Sequence, residues 1–143
     1  FALLHLNLDR FKPVNDAHGH QIGDLVLAEI AWRLRIVIRD VDMVARLGGD
    51  EFLILLNDTE MPREAAERVA QKCIDALSMP IGINNLVIQI GVSIGISTCS
   101  GPQAETTSVK QLVNRADQAM YRAKAEGRNR YMLHATPPST TNS

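Results

Sequence analysis

The stretch ARLGGDEFLIL, residues 45–55, decides how the rest of the chain is read. Two apolar runs meet at Gly48-Gly49, and two carboxylates, Asp50 and Glu51, follow at once. Met43 to Leu47 and Asp50 to Leu56 read as strands, and a Gly-Gly pair between them can take the positive φ angles that a two-residue hairpin turn requires. The stretch is therefore predicted to be a β-hairpin with acids at its mouth. Holding two carboxylates at a strand end costs more than leaving them on a solvated loop, but it fixes their position, so they are candidates for chemistry.

Working outward, residues 1–8, FALLHLNL, form a short apolar run suited to a central strand. From about Ile22 to Ile38, apolar residues recur at helical spacing (Leu27, Ile30, Ala31, Leu34, Ile38), which predicts an amphipathic helix. Another helix is expected after the hairpin, with Ala66, Val69, Ala70, Cys73, Ile74 and Leu77 on one face. A two-strand segment should follow from Ile81, in which Leu86, Ile88, Ile90, Val92, Ile94 and Ile96 alternate with small or polar residues, the period of a strand with one buried face. A last helix carries Val109, Leu112, Val113, Ala116, Met120 and Ala123 and stops at Gly127, a C-cap residue type. Tyr131 to Leu133 suits an edge strand, and Trp32 and Met120 read as core or helix-packing residues. This order predicts an α+β fold with helices on a mainly antiparallel sheet. It spans residues 1–134, leaving the Pro/Ser/Thr-rich 135–143 as a flexible tail or linker.

Composition narrows the function classes. A chain of 143 residues, 45% apolar and 22% charged with a net charge of −1, is an ordinary one-core domain without a global field for nucleic acid or an acidic membrane. No apolar run is long enough to span a bilayer, and no direct membrane contact is expected of this domain. The two cysteines, Cys73 and Cys99, are too few for a disulfide framework and wrongly spaced for zinc, which favours a reducing, cytoplasmic setting. The chain opens without an initiator Met, which leads us to expect a piece of a longer protein, with any membrane anchor belonging to that parent.

If the first strand is central, its end brings Asn7 and Asp9 beside the hairpin that carries Asp50 and Glu51. Oxygen ligands gathered in this way suit Mg²⁺, which favours carboxylates together with substrate phosphates. His18 and His20 are not read as ligands of that ion, because hard cations prefer oxygen to imidazole.

RLGGDEF at 46–52, LNLDRFKPVNDAHGHQIGD at 6–24 and ADQAMYRAKAEGRNR at 116–130 together resemble the GGDEF family of diguanylate cyclases, in the family's order and spacing from Phe1 to about Leu133. The resemblance implies a nucleotide-cyclase or palm-like (ferredoxin-like) domain that condenses two GTP molecules into cyclic di-GMP and releases two pyrophosphates. Each domain would hold one GTP, and two would face each other in a homodimer. Carried over residue by residue, Asp50 and the backbone of Leu8 would ligate Mg²⁺ or Mn²⁺, with Asn7 at the remaining ligand position. Glu51 would assist deprotonation of the attacking 3′-hydroxyl. Phosphates would lie at the helix N-terminus near Phe11 and Lys12, where exposed N–H groups bind anions. Asn15 and Asp24 would read guanine, although both residue types also suit a turn cap and a solvated helix face. Lys124 and Arg128 would meet the terminal phosphates, a role compatible with cations at a helix C-terminus. Arg39 and Asp42 of RDVD would form the family's inhibitory product site, where Arg can meet guanine or phosphate and Asp can accept from the base; a plain i,i+3 ion pair is the other reading of the same residues.

The chain departs from the family at two places. Asn7-Leu8-Asp9 stands where the family has D-x-D, so a formal charge is lost from the metal site. The segment D-x-L-T-x-L-x-N-R that precedes the first strand in the family is absent. Asn7 and the RDVD motif together motivate a second function class, a catalytically weak or inactive module that serves as a receptor for GTP or cyclic di-GMP. A third class, a dimerising scaffold without a ligand, has no residue in its favour.

Overall fold

The computed structural model describes residues 1–57, 59–99 and 107–134. Strand β1 (Ala2–Asp9) is followed by helices α1 (Phe11–His18) and α2 (His20–Val37), then by β2 (Met43–Gly48) and β3 (Glu51–Leu56). Helix α3 (Pro62–Ser78), the short strands β4 (Ile81–Ile83) and β5 (Leu86–Ile88), strand β6 (Gly91–Thr98), helix α4 (Val109–Ala125) and β7 (Tyr131–Leu133) complete the order. The main sheet runs β2-β3-β1-β6-β7, with β1 at its centre as expected. All its pairings are antiparallel except β6 with β7, so the sheet is mixed. The predicted tail at 135–143 lies outside the described residues. No helix among the described residues is long and apolar enough to cross a membrane.

Alternation along β1 separates the two faces. Its even positions form rows across three strands, Ile54–Leu4–Ile96 and Phe52–Leu6–Ile94, and these meet α2 and α3 in one core that includes Val26, Ile30, Leu34, Ala70 and Leu77. Each large aliphatic side chain buried there stabilises by about 1.5–3 kcal/mol. The odd positions face α4, where Leu3 packs with Leu112, Ala116 and Cys99. Helix α4 sits close because Gly95 of β6 has no side chain; a Cβ at that position would overlap the Ala116 carbonyl and the Met120 amide. Ser108 fixes the start of α4 by a capping box, accepting from Gln111 N at 3.1 Å while Gln111 Oε1 accepts from Ser108 N at 2.9 Å. On the other face, the Arg33 guanidinium of α2 donates to the carbonyls of Ala76, Met79 and Pro80 and ties down the C-terminal end of α3.

Four expectations are corrected. The hairpin turn is Gly49-Asp50 rather than Gly48-Gly49: Gly48 pairs with Glu51, a register irregularity falls between Arg46 and Gly48, and Gly48 and Gly49 take φ of 140° and 51°. Asp50 therefore belongs to the turn and Glu51 to the strand. The segment from Ile81 makes two short strands in a separate ribbon, and the following β6 is buried on both faces because α4 covers Ser93, Gly95 and Ser97. Trp32 is 60% exposed on α2, turned away from the core. Val109, in the first turn of α4, is 68% exposed, whereas Met120 is core as predicted.

Candidate active site

The hairpin turn lies beside the end of β1. Leu8 N donates to the Asp50 carbonyl at 3.0 Å, and Asn7 Nδ2 approaches Asp50 Oδ1 at 3.4 Å. Arg46 holds the turn from within, donating from Nε and Nη2 to the Gly49 carbonyl at 3.1 and 2.9 Å. Glu51 stands across from Asn7 in the β1–β3 register, its side chain 42% exposed. Sequence reading thus brought the correct elements together. An Asp50 carboxylate, an Asn7 amide and the Leu8 backbone carbonyl offer oxygen donors of the class that hard divalent cations prefer. The assignment of the Asn7 amide follows from its contact with Asp50, and its other edge carries the oxygen.

Asp9 does not join them. Its carboxylate is buried on the α4 side, where it accepts from Ser93 Oγ at 2.9 and 3.0 Å, from Asn129 N at 3.0 Å and from Lys124 Nζ at 3.2 Å, with Arg128 Nε 3.9 Å away. The two cations predicted for phosphate are therefore both anchored on Asp9, and Arg128 keeps 61% of its side chain exposed. The expectation that Asp9 joins Asn7 among the oxygen ligands beside the hairpin is corrected: it is a buried partner of Ser93, Lys124 and Asn129, and an acid at the end of an otherwise apolar strand is itself a signal of such a partner.

After β1 the chain reverses through Arg10, whose left-handed backbone (φ 69°, ψ 20°) costs a non-glycine residue about 1–2 kcal/mol. That turn aims α1 back along the site, and no side chain caps its start, so its leading N–H groups are left for a ligand. Phe11 is buried and Lys12 is exposed there. Asn15 packs against Gly23, where any Cβ would overlap its Oδ1, and that Oδ1 is buried without a hydrogen-bond partner among the described residues. An orphaned buried amide oxygen is costly unless a ligand completes it. Asp24 follows Gly23 on α2 and is exposed.

A cavity of about 480 Å³ opens next to this region, lined in part by Asp9, Arg10, Gln89 and Arg128. Asp50, Glu51 and Asn15 are not among its lining residues, and Asp50 and Glu51 are each half-buried.

Arg39 and Asp42 lie well away, between α2 and β2. The Asp42 carboxylate accepts from Arg39 N and Nε, each at 3.1 Å, from Arg39 Nη2 at 3.0 Å and from Asn57 N at 3.1 Å. Burial pushes its pKa up, but the bonds from Arg39 and Asn57 outweigh burial and hold it below the ordinary carboxylate value. Asp42 therefore shapes the loop as well as offering an acceptor. A cavity of about 190 Å³ beside the pair adds Arg68 and Lys72 of α3, cations that sequence spacing alone could not place there.

Among the described residues, one further group of metal-ligating side chains converges: His5, Glu51 and Asp117. His5 and Asp117 were not singled out from the sequence, and only the β1 alternation, which puts His5 on the same face as Asn7, hinted at the first.

A family profile described as "Diguanylate cyclase, GGDEF domain" matches residues 1–130. The bifunctional diguanylate cyclase/cyclic di-GMP phosphodiesterase MucR of Pseudomonas aeruginosa is 45% identical over 131 residues, which is 92% of this chain and 18% of that protein. The chain thus spans under a fifth of that relative's length. The crystal structure of the GGDEF domain of YfiN (TpbB) from Pseudomonas aeruginosa superposes with a TM-score of 0.84 at 38% identity, covering 94% of this chain and 82% of the other. The GGDEF domain of DgcB from Caulobacter crescentus, solved in complex with c-di-GMP, superposes with a TM-score of 0.81 at 28% identity, covering 94% and 78%.

Proposed function

The chain belongs to the GGDEF domain family of diguanylate cyclases, and on that premise we propose that it condenses two GTP molecules into cyclic di-GMP, as one half of a dimer. The observation that carries this reading is the junction of β1 with the hairpin turn, where Leu8, Asn7 and Asp50 meet beside the uncapped start of α1. In the reaction, the 3′-hydroxyl of one GTP attacks the α-phosphorus of the other; a P–O bond forms, the bond to pyrophosphate breaks, and Glu51 takes the hydroxyl proton. Repeating the step closes the ring and releases the second pyrophosphate. Mg²⁺ or Mn²⁺, held by Asp50, Asn7 and the Leu8 carbonyl, would neutralise phosphate charge and lower the hydroxyl pKa. The α1 N–H groups and Lys12 hold phosphate, and Lys124 and Arg128 receive the terminal phosphates from their anchorage on Asp9. Asn15 and Asp24 select guanine, since adenine would leave the Asn15 oxygen unpaired. Glu51, with its side chain 42% exposed, is accessible to a second domain that presents its own GTP from across the site.

Incubation of the chain with GTP and Mg²⁺, followed by chromatography, should yield cyclic di-GMP; ATP in parallel should not react. No product from GTP would overturn the enzyme reading, and equal turnover of ATP would overturn the roles of Asn15 and Asp24.

The receptor reading keeps its own support in Asn7 and in the cavity at Arg39 and Asp42, which Arg68 and Lys72 also line. Cyclic di-GMP should bind there and inhibit, with Arg68 and Lys72 meeting its phosphates. Calorimetric titration of wild type and Arg39→Ala checks it, and equal affinities would leave RDVD a structural loop clasp.

A further inference from the structure

We infer that His5, Glu51 and Asp117 form a second cation site, one that takes a borderline divalent ion of the Zn²⁺ class and withdraws Glu51 from catalysis when filled. The withdrawal rests on the cyclase reading, but the binding does not.

The three residues meet because of the sheet's construction. His5 lies on the odd face of β1, with Leu53 of β3 and Gly95 of β6 as its cross-strand partners. Gly95 lets α4 approach closely, and the residue after Ala116 on that helix is Asp117. Glu51 reaches the same point from β3. One ligand atom from each residue lies within 4.8 Å of the others. A tetrahedral ion with bonds of about 2.1 Å holds its ligands about 3.4 Å apart, so small side-chain adjustments suffice.

The contacts distinguish a cation site from a hydrogen-bonded chain. His5 Nε2 is 2.8 Å from Glu51 Oε1 in good geometry. Nδ1 is 3.0 Å from Asp117 Oδ1, yet that contact is not directed as a hydrogen bond, and Nδ1 is buried without a partner among the described residues. His5 itself is 3% exposed. A buried ring with Glu51 at one nitrogen and Asp117 at the other, the second nitrogen lacking a directed hydrogen bond, is an arrangement a cation would complete by drawing both carboxylates to one ring nitrogen. The Glu51 and Asp117 side chains are 42% and 39% exposed, so water has access to the remaining coordination position. Imidazole in the donor set separates this site from the oxygen donors at Asn7, Leu8 and Asp50, which suit Mg²⁺. The cysteines do not compete: both are buried, and burial pushes the Cys73 thiol up to about 12.

The test uses the whole chain without nucleotide and in excess Mg²⁺, with Zn²⁺ alone as the calorimetric titrant and Co²⁺ alone as the optical probe. Wild type should bind one Zn²⁺ and give Co²⁺ visible bands of low coordination number. His5→Gln and Asp117→Asn should each weaken Zn²⁺ by about tenfold or more, the scale seen when even outer-shell partners are removed, and should lose the Co²⁺ bands. Asp117→Asn, a substitution at a part-exposed site, keeps the test open if His5→Gln does not fold. Equal affinity in wild type and Asp117→Asn would place the metal elsewhere, for instance at the exposed His18 and His20, and would overturn the inference; so would no binding to the folded wild type. In the cyclase assay, Zn²⁺ should inhibit wild type more strongly than Asp117→Asn, each measured against its own zinc-free rate. A chain that makes no product but binds Zn²⁺ through these residues would sink the enzyme reading and leave the cation site standing.

Discussion

The two faces of β1 contrast row by row. On the α2–α3 face the rows read Ile54–Leu4–Ile96 and Phe52–Leu6–Ile94 from end to end. On the α4 face they read Leu55–Leu3–Ser97, then Leu53–His5–Gly95, then Glu51–Asn7–Ser93, becoming polar towards the hairpin turn. One strand thus carries a uniform apolar face that builds the core and a graded face that delivers polar groups to the site. A strand can do both because its side chains alternate strictly, so a change on one face leaves the other in register.

The sharpest test of that division exchanges insults between the faces. Asp50→Ala should abolish cyclic di-GMP formation at any accessible Mg²⁺, because no neighbour replaces its carboxylate, while the free energy of unfolding changes by no more than about 1 kcal/mol for a half-buried turn side chain that loses only its weak contact with Asn7. Leu6→Ala should do the reverse and cost about 2–5 kcal/mol of stability in urea unfolding. If Asp50→Ala unfolded the domain, or Leu6→Ala left its stability intact, the division would be wrong.

Asp9 is where the division should break. It lies on the graded face but its bonds to Ser93, Lys124 and Asn129 are those of a structural clasp. Removing one partner of a buried ion pair costs about 3–5 kcal/mol, and because Lys124 keeps some exposure the lower figure, about 3 kcal/mol, is expected for Asp9→Ala. Urea unfolding measures that loss. An activity defect without a stability defect would return Asp9 to the catalytic set.

This pattern explains what could be read from the chain alone. The elements and the central place of β1 were legible because apolar periodicity is local, and the hairpin was legible from its glycines. The burial of β6 on both faces was not, since Ser93, Gly95 and Ser97 look like a solvated face until α4 is known to lie on them. The exposure of Trp32 escaped for the complementary reason: hydrophobicity gives the cost of exposure, not whether a partner element arrives. At the site, Asn7 and Asp50 were placed together by strand logic. Arg68, Lys72 and Asp117 come from helices distant in sequence, and their approach depends on packing, which for Asp117 rests on the missing side chain at Gly95.

Asp42 offers a smaller test, away from both faces of β1. Its folded pKa is depressed by Arg39 and Asn57 despite the opposing effect of burial. The stability it contributes is therefore fully present above the ordinary carboxylate value and is lost as pH falls through the depressed one. Acid unfolding of wild type should show this loss and Asp42→Asn should not, whereas Arg39→Ala should shift it to higher pH. Superimposable acid profiles for wild type and Asp42→Asn would deny the clasp.

The finest test concerns Asn7, where the graded face differs from its family by one charge. Asn7 Nδ2 faces Asp50 Oδ1 at 3.4 Å, a weak attraction. Asn7→Asp turns that contact into two carboxylates, and like charges about 4 Å apart in water repel by about 1 kcal/mol. Without divalent metal the variant should thus be slightly less stable than wild type. With Mg²⁺ the sign should reverse, because the restored charge strengthens the ligand set and should lower the metal needed for half-saturation roughly tenfold, equivalent to about 1.4 kcal/mol. Thermal unfolding of both proteins across a Mg²⁺ titration reads this crossing without relying on catalysis. Parallel curves that never cross would mean that position 7 is not a metal ligand, and that the charge lost there was lost without consequence for the site.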